Sequence, residues 1–268
     1  MSSEKRGLSL NSPRLELSGP KLQLALEGLA ARADEQGGVE AYVEALKIKS
    51  AMFREALAAG MDLKALRALC AHMATVRRRV GHYAEPDLFP ELTGRTAALL
   101  ATPEDVDARV AAFCAGFPDD RDHRWVRDLA AELLHYGHPE RYPLMTRWMW
   151  DARTNTGMLR EIWHDDDVDH ITIDVPDSYG TFLVLREELA QYLSSNGVFR
   201  DVLLYVDVLA AQVYADYIGE RGGTYLRADF ATPEDPMVHV RRILGLDGVN
   251  PNGRSRLKAL DRNAEIIE

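Results

Sequence analysis

Two Glu-x-x-His spacings lie in the middle of this 268-residue chain, Glu132 with His135 and Glu161 with His164. Residues i and i+3 of a helix share one face, so each pair could present a carboxylate and an imidazole side by side. Two such pairs, joined by a carboxylate from each of two further helices, form the di-iron or di-manganese centre of ferritin-like bundles. The spacing therefore predicts a site for iron or manganese that would activate dioxygen.

The other carboxylates of such a centre would come from residues 198–218, which we expect to form the central helix. Apolar residues lie on nearly all of its sides, which is typical of a helix buried on most faces. One narrow polar stripe remains, and its members are Asp201, Tyr205, Gln212 and Asp216. This stripe faces either solvent or a polar pocket, and either of its aspartates could complete the metal site with Glu188 or Glu55.

Tryptophan and histidine are concentrated in the same region. Five of the eight histidines lie between residues 123 and 170, and so do all four tryptophans. The tryptophans are Trp125, Trp148, Trp150 and Trp163. A pocket with aromatic walls and a few polar groups has this composition, so we take the tryptophans, Tyr205 and Gln212 as candidate cofactor-binding residues. The competing interpretation, to which we give more weight, is an aromatic-rich core seam with histidines on the surface.

The two Glu-x-x-His spacings also have an ordinary explanation. Glutamate and histidine are common enough in this chain that two such pairs are only mildly surprising. The second pair requires residues 158–164 to be helical, which their apolar spacing favours, whereas a strand is the other alternative. The metal centre is therefore the alternative hypothesis, and the leading one assigns the protein no cofactor.

The composition indicates a water-soluble chain with a sizeable core. Apolar residues make up 46% and charged residues 28%, and no apolar run has the length of a membrane span. The net charge of −10 is uneven, since residues 1–83 carry +4 and the remainder −14. An acidic body disfavours nucleic-acid binding, which depends on neutralising phosphates. Binding through the basic N-terminal helices is the weakest of the functional alternatives.

The cysteine content and the N-terminus both predict a cytoplasmic protein without membrane association. Only two cysteines are present, Cys70 and Cys114, and each falls on the apolar face of a predicted helix. A disulfide framework is therefore not expected. The first nineteen residues lack the apolar core of a signal peptide.

The predicted fold is mainly α, a bundle of nine or ten helices with one small β element near residues 170–175. Helical periodicity extends over most of the chain between turn signals such as Gly37-Gly38 and Asn196-Gly197. The segment from His170 to Val175 is the exception, because its apolar and polar residues alternate with a period of two.

The predicted domain organisation is simple. Residues 1–19 and 246–268 lack apolar periodicity, and we expect them to be a flexible arm and a flexible tail. Residues 20–245 should form a single helical domain. Its first part, residues 20–83, has three helices joined by short separators and could be an N-terminal three-helix subunit.

Several enzyme signatures are missing from the sequence. It has no phosphate-binding Gly-rich loop, no Gly-x-Ser-x-Gly elbow, no Cys-x-x-Cys and no His-Glu-x-x-His. The leading hypothesis is therefore a helical accessory or adaptor protein that binds another protein. The alternative is a non-haem oxidase, with a di-iron or a mononuclear metal centre, that uses the two Glu-x-x-His pairs and iron or manganese. The sequence leaves the partner's identity and the oligomeric state open.

Overall fold

The computed structural model describes residues 13–33, 37–101, 105–165, 170–226 and 236–248. These residues confirm the mainly helical fold and contain ten α-helices. In chain order the helices are α1 Gly19–Ala33, α2 Val39–Ala58, α3 Leu63–Ala71, α4 Phe89–Leu100, α5 Val106–Cys114, α6 Trp125–Gly137, α7 Met158–Glu161, α8 Tyr179–Ser195, α9 Val202–Leu226 and α10 Pro236–Ile243. Short 3-10 turns are formed by Gly81–Ala84, Arg121–His123 and Leu246–Gly248.

Helix α9 lies at the centre of the fold, as its apolar residues predict. It packs against α1, α2, α7, α8 and α10, and Leu209 in its middle is fully buried. The helix begins at Val202, four residues later than its sequence suggests, because Asp201 has a left-handed backbone conformation with φ of 52°. Such a residue cannot continue a right-handed helix.

The same helix supplies the membrane-span candidate found among the described residues. Residues Val202–Gly219 are long and apolar enough to cross a bilayer, and half of this window is buried inside the protein. A core helix of a protein in water meets the same criterion of length and composition. The finding therefore describes how apolar α9 is and decides nothing about location.

A second layer is built around α6, which packs against α2, α4 and α5. Helix α2 joins the two layers because it contacts both α6 and α9. The buried apolar residues form one continuous cluster that extends from Leu15 to Leu246. The three helices within residues 20–83 therefore share the core of the remaining chain and do not have one of their own.

Residues 170–177 lack the predicted β element, and the described residues form no strand ladder here. Ile173 and Val175 are buried, as the alternation predicts. Side chains satisfy the backbone instead of a neighbouring strand: Ile173 N donates to Asn155 Oδ1 at 3.0 Å, and Trp150 Nε1 donates to the Val175 carbonyl at 2.9 Å. Alternation predicts which side chains are buried, but a ladder also requires a partner strand.

Part of the expected N-terminal arm is docked onto the domain. Residues 13–18 precede α1, and Leu15 among them is buried. Ser18 N donates to the Ile162 carbonyl at 2.8 Å. One buried apolar side chain and a few backbone hydrogen bonds hold this segment. A single apolar residue produces no repeating pattern, so the sequence does not reveal the docking. The first twelve residues lie outside the described residues.

Residues 244–248 are also packed against the other helices, although the sequence predicts a tail that begins at residue 246. Leu246 is buried, and Asp247 accepts a hydrogen bond from Arg77 Nη1 at 2.7 Å. We call residues 244–248 the C-terminal clasp, because they pack against α2 and the end of α3. The remainder of the expected tail, from residue 249 onwards, lies outside the described residues.

The clasp depends on a glycine in a left-handed conformation. Gly245 has φ of 67°, and a Cβ placed on it would lie 1.8 Å from the backbone carbonyl oxygen of His72. The side chain of His72 is buried, and its Nδ1 lies 3.4 Å from the Gly245 carbonyl oxygen. Any side chain at position 245 must therefore push the clasp away from the end of α3.

Gly245→Ala is expected to destabilise the protein, as measured by urea denaturation. The left-handed conformation alone costs about 1–2 kcal/mol for a residue with a Cβ, and the collision with His72 adds to this. Gly197→Ala is the matched control, because Gly197 has φ of 91° and open space around its Cβ position. Equal losses of unfolding free energy in the two variants would show that the close approach of the clasp is unimportant.

Candidate functional site

Helix α6 carries charged residues on a stripe that faces the protein interior. Asp128, Glu132 and His135 follow each other at spacings of four and three, which places them on one face of the helix. All three side chains are buried. Buried charges are tolerated only when they are paired and hydrogen-bonded, so the partners of each residue define the site.

Glu132 is paired with a lysine that is itself completely buried. Lys49 Nζ of α2 lies 3.0 Å from Glu132 Oε2 and donates to the Leu244 carbonyl of the clasp at 2.8 Å. The ammonium also lies 3.8 Å from the ring centroid of Tyr136. Burial lowers the pKa of Lys49 and raises the pKa of Glu132, and the attraction between the two charges opposes both shifts.

His135 has a partner at each ring nitrogen. Nδ1 lies 2.8 Å from the Tyr142 carbonyl oxygen, and Nε2 lies 2.9 Å from Asp207 Oδ2 on α9. The carbonyl can only accept, so Nδ1 donates the first bond. Both nitrogens are thus engaged by protein groups, and the imidazole links α6 to the central helix.

Asp128 connects the buried stripe to the surface. It accepts from the backbone N of Arg147 at 2.9 Å, and its second oxygen accepts from Arg147 Nη2 at 2.7 Å. Backbone and guanidinium together fix the direction in which Arg147 extends. The arginine therefore spans the distance from a buried carboxylate to the outside of the molecule.

Arg147 lines an open cleft of about 560 Å³ between the end of α5 and the beginning of α6. The apolar part of its wall is formed by residues such as Cys114, Phe117 and Val126. The charged lining residues are Arg124, Arg127, Arg147, Arg153, Asp119, Asp120, Asp151 and Asp177. We call this feature the arginine cleft.

The wall of the arginine cleft is shaped by an aspartate cap. Asp120 accepts hydrogen bonds from the backbone N of Asp122 and of His123, which starts the 3-10 turn before α6. The same carboxylate lies 2.8 Å from His123 Nδ1, and this bond lowers the pKa of Asp120. His123 Nε2 lies 2.9 Å from Tyr83 Oη, so the loop is tied to the core.

The structure separates the two predicted Glu-x-x-His pairs. Residues Met158–Glu161 form a short helix, which confirms the helical alternative for this part of residues 158–164. However, His164 lies beyond that helix and is exposed, whereas Glu132 and His135 face the interior with partners of their own. Within the described ranges, no three His, Cys, Asp or Glu side chains come together in a way that could hold a metal ion.

The polar stripe of α9 forms a seam with the N-terminal helices and does not face the α6 stripe. Asp201 pairs with Lys47 at 2.7 Å, Tyr205 Oη donates to Glu40 at 2.7 Å, and Asp216 pairs with Arg32. Gln212 is buried and donates from Nε2 to Asp216 at 3.0 Å. The other two proposed carboxylates are elsewhere, with Glu55 exposed and Glu188 partly buried on α8.

The four tryptophans are core residues. All four side chains are buried, those of Trp125, Trp148, Trp150 and Trp163. Trp125 packs against the rings of Tyr83 and Phe117, and Trp148 packs against Tyr214. None of the four is among the residues that line the arginine cleft. The interpretation as an aromatic core seam describes them better than a cofactor pocket does.

Sequence reasoning missed three residues of this buried group. Asp128 belongs to the α6 stripe itself, and Lys49 and Asp207 are the partners that Glu132 and His135 require. A signal was present for two of them. Lys49 interrupts the apolar stripe of α2 between Leu46 and Phe53, and Asp128 precedes Glu132 by four residues on the same face of α6. Asp207 lies outside the polar stripe of α9, so no spacing on its own helix marks it.

No protein-family model, curated protein or solved structure matches this chain significantly.

Lys49→Met is expected to lower the free energy of unfolding by about 3–5 kcal/mol, because it leaves Glu132 as a buried charge without its cation. The double variant Lys49→Met/Glu132→Leu removes both charges and should be more stable than Lys49→Met. Chemical denaturation measures both values. A double variant that loses as much as the two single variants together would contradict the pairing.

The buried His72 should make stability depend on pH. Burial lowers the pKa of its imidazole, and the nearby Lys49 ammonium lowers it further, with Asp247 and Arg77 as the other charged neighbours. Between that lowered pKa and about 6.5, the unfolded chain binds a proton that the folded chain does not. The contribution of neutral His72 to the free energy of unfolding is therefore complete above about pH 6.5. It decreases as the pH falls, by at most about 1.4 kcal/mol per pH unit.

His72→Asn tests this pH dependence, because asparagine can still donate to the Gly245 carbonyl. The variant should lose part of the slope in unfolding free energy between about pH 7 and 5.5. His82→Asn is the control, since His82 is exposed. An unchanged slope in His72→Asn would assign the acid sensitivity to other groups.

Proposed function

We propose that this protein is a non-enzymatic accessory protein and that it binds a segment of another protein in the arginine cleft. The observation that carries the proposal is the cleft itself, a concave surface with an apolar wall and four arginines at its margin. Interfaces between proteins are enriched in arginine and aromatic residues. A polypeptide segment offers the apolar and polar groups that such a surface accepts.

The buried charged residues argue for a structural role and against catalysis. Lys49, Glu132, His135 and Asp207 satisfy each other in the interior. A catalytic acid or base must reach a substrate, and these groups are surrounded by packed side chains. Their contribution in this proposal is to hold α6 rigidly, so that the cleft keeps its shape.

The cleft also offers no activated nucleophile. Cys114 lines it, but burial raises the pKa of its thiol. A thiol of this kind is protonated at neutral pH and is a poor nucleophile, since the thiolate is the reactive form. Cys70 is deeply buried, and both cysteines are free, which agrees with the reducing cytoplasm in which we place the protein.

The alternative function, a non-haem oxidase, gains no support from the described residues. It requires four or more ligands around one centre. His135 already uses both nitrogens for protein partners, and an ammonium group stands beside Glu132. We therefore propose the binding function alone.

Site-specific photo-crosslinking in the source cells tests the proposal. A photoreactive amino acid replaces Arg153, which is exposed at the margin of the cleft. We expect one discrete crosslinked partner with this variant. The same replacement at Arg54, an exposed residue of α2 that does not line the cleft, should not yield that adduct.

A second substitution links the adduct to the cleft. Ala111 lies on an exposed face of α5 and lines the cleft, so Ala111→Trp should fill it without disturbing the core. Ala112→Trp is the matched control, because Ala112 is equally exposed on the same helix and does not line this cleft. The adduct at position 153 should disappear only with Ala111→Trp. An adduct that survives both changes would place the partner on another surface.

A further inference from the structure

In two of the ion pairs at the arginine cleft, the arginine is more exposed than its aspartate, and this asymmetry determines which charge of those pairs a ligand meets. Asp128 is only 1% exposed, whereas its partner Arg147 is 24% exposed. Asp151 is 6% exposed, and its partner Arg124 is 28% exposed. In both pairs the carboxylate is withdrawn into the protein and the guanidinium faces the cleft. A ligand therefore meets the cations of these pairs first.

These arginines retain hydrogen-bond donors that the protein does not use. A guanidinium has five N–H groups in a fixed plane. Arg147 bonds to Asp128 through Nε and Nη2, and among the described residues its Nη1 has no partner. Arg124 is engaged only through Nη2, by Asp151. The free donors are thus held in fixed directions by carboxylates behind them.

A third arginine, Arg127, is paired differently, because its side chain is 23% exposed and that of its partner Asp177 is 29% exposed. Arg127 donates from Nη1 to the carboxylate of Asp177 and from Nη2 to the Asp177 carbonyl at 2.6 Å. Its Nε has no partner within the described part of the chain. Arg124 and Arg127 are three residues apart at the beginning of α6, so they lie on adjacent positions of one helical face.

Two other aspartates of the cleft have partners at its margin. Asp120 is bonded to His123 at 2.8 Å, and Asp119 lies 3.7 Å from Arg153 Nη1. Asp119 is almost completely exposed to solvent, where its field is strongly screened. Asp119 therefore repels an approaching anion less than an unscreened carboxylate would.

We propose that Arg124, Arg127 and Arg147 bind a phosphomonoester carried by the partner segment. This inference rests on the proposed function, since it assumes that the cleft receives that segment. A phosphomonoester carries close to two negative charges at neutral pH and three acceptor oxygens. Planar guanidinium groups with fixed orientation match these oxygens in pairs. A carboxylate offers only two oxygens and one charge, and it would leave more of the donors unused.

Calorimetric titration of the full chain at low salt tests the inference with two probes. The probes are inorganic phosphate and an acetylated Gly-phosphoserine-Gly amide, and the unphosphorylated tripeptide is the blank. We expect both phosphate probes to bind, the phosphorylated tripeptide more tightly, and the blank not at all. Binding of inorganic phosphate without binding of the tripeptide would assign the cleft to the free ion and overturn a partner-borne phosphate.

Three variants localise the binding. Arg124→Gln and Arg127→Gln should each weaken binding of the phosphorylated tripeptide about tenfold. This corresponds to the loss of roughly one charge-assisted hydrogen bond. Arg127→Lys keeps the charge but not the planar guanidinium group. Its affinity for the phosphorylated tripeptide should therefore lie between those of Arg127→Gln and the unaltered protein. Arg54→Gln, on an exposed part of α2, should bind normally. Equal affinities in all variants would overturn the site.

The two proposals fail separately. If the phosphorylated tripeptide does not bind but the adduct at position 153 forms and is blocked by Ala111→Trp, the cleft receives a segment without a phosphate, and this inference is overturned. If the tripeptide binds through the arginines and no adduct forms, the cleft is a phosphomonoester site, and the accessory function is overturned. Unfolding midpoints of all variants, measured beforehand, ensure that folded protein is compared.

Discussion

The ammonium group of Lys49 is the constraint on which most of this structure depends. It is completely buried, and a buried charge is tolerated only with partners that replace water. Its acceptors come from α6, 83 residues away along the chain, and from the clasp, 195 residues away. One side chain thereby fixes the relative positions of three segments. The apolar core fills the space between them but does not by itself specify which segments meet.

Helix α6 contributes both to the buried charges and to the arginine cleft. On its interior face α6 carries Glu132 and His135, which bind it to α2 and α9. At its beginning the same helix supplies Arg124 and Arg127 to the cleft. Because the interior contacts are rigid and charge-specific, the arginines outside are held on a fixed base. A binding surface built on a regular helix is more rigid than one built on loops.

The sequence predicts the helical class and the central position of α9, because apolar spacing is a local property of each segment. It also singles out Glu132 and His135 by residue type, but it cannot supply their partners. Lys49 and Asp207 belong to other helices, and only the packing of those helices brings them near. The cleft is harder still to foresee, since its arginines come from separate segments and form no motif. The β element predicted near residues 170–175 is absent although its local pattern is present. Alternation of apolar and polar residues cannot supply the neighbouring strand that a ladder needs.

The position of the clasp has a consequence for synthesis on the ribosome. Helix α2 emerges almost 200 residues before the Leu244 carbonyl that its lysine requires. The nascent chain therefore cannot complete its core from the N-terminus onward, and final packing waits until the clasp has been translated. A product that stops before residue 244 retains a buried cation without one of its acceptors. Such a truncated chain opens more easily and is a better substrate for cellular proteases than a chain that includes the clasp.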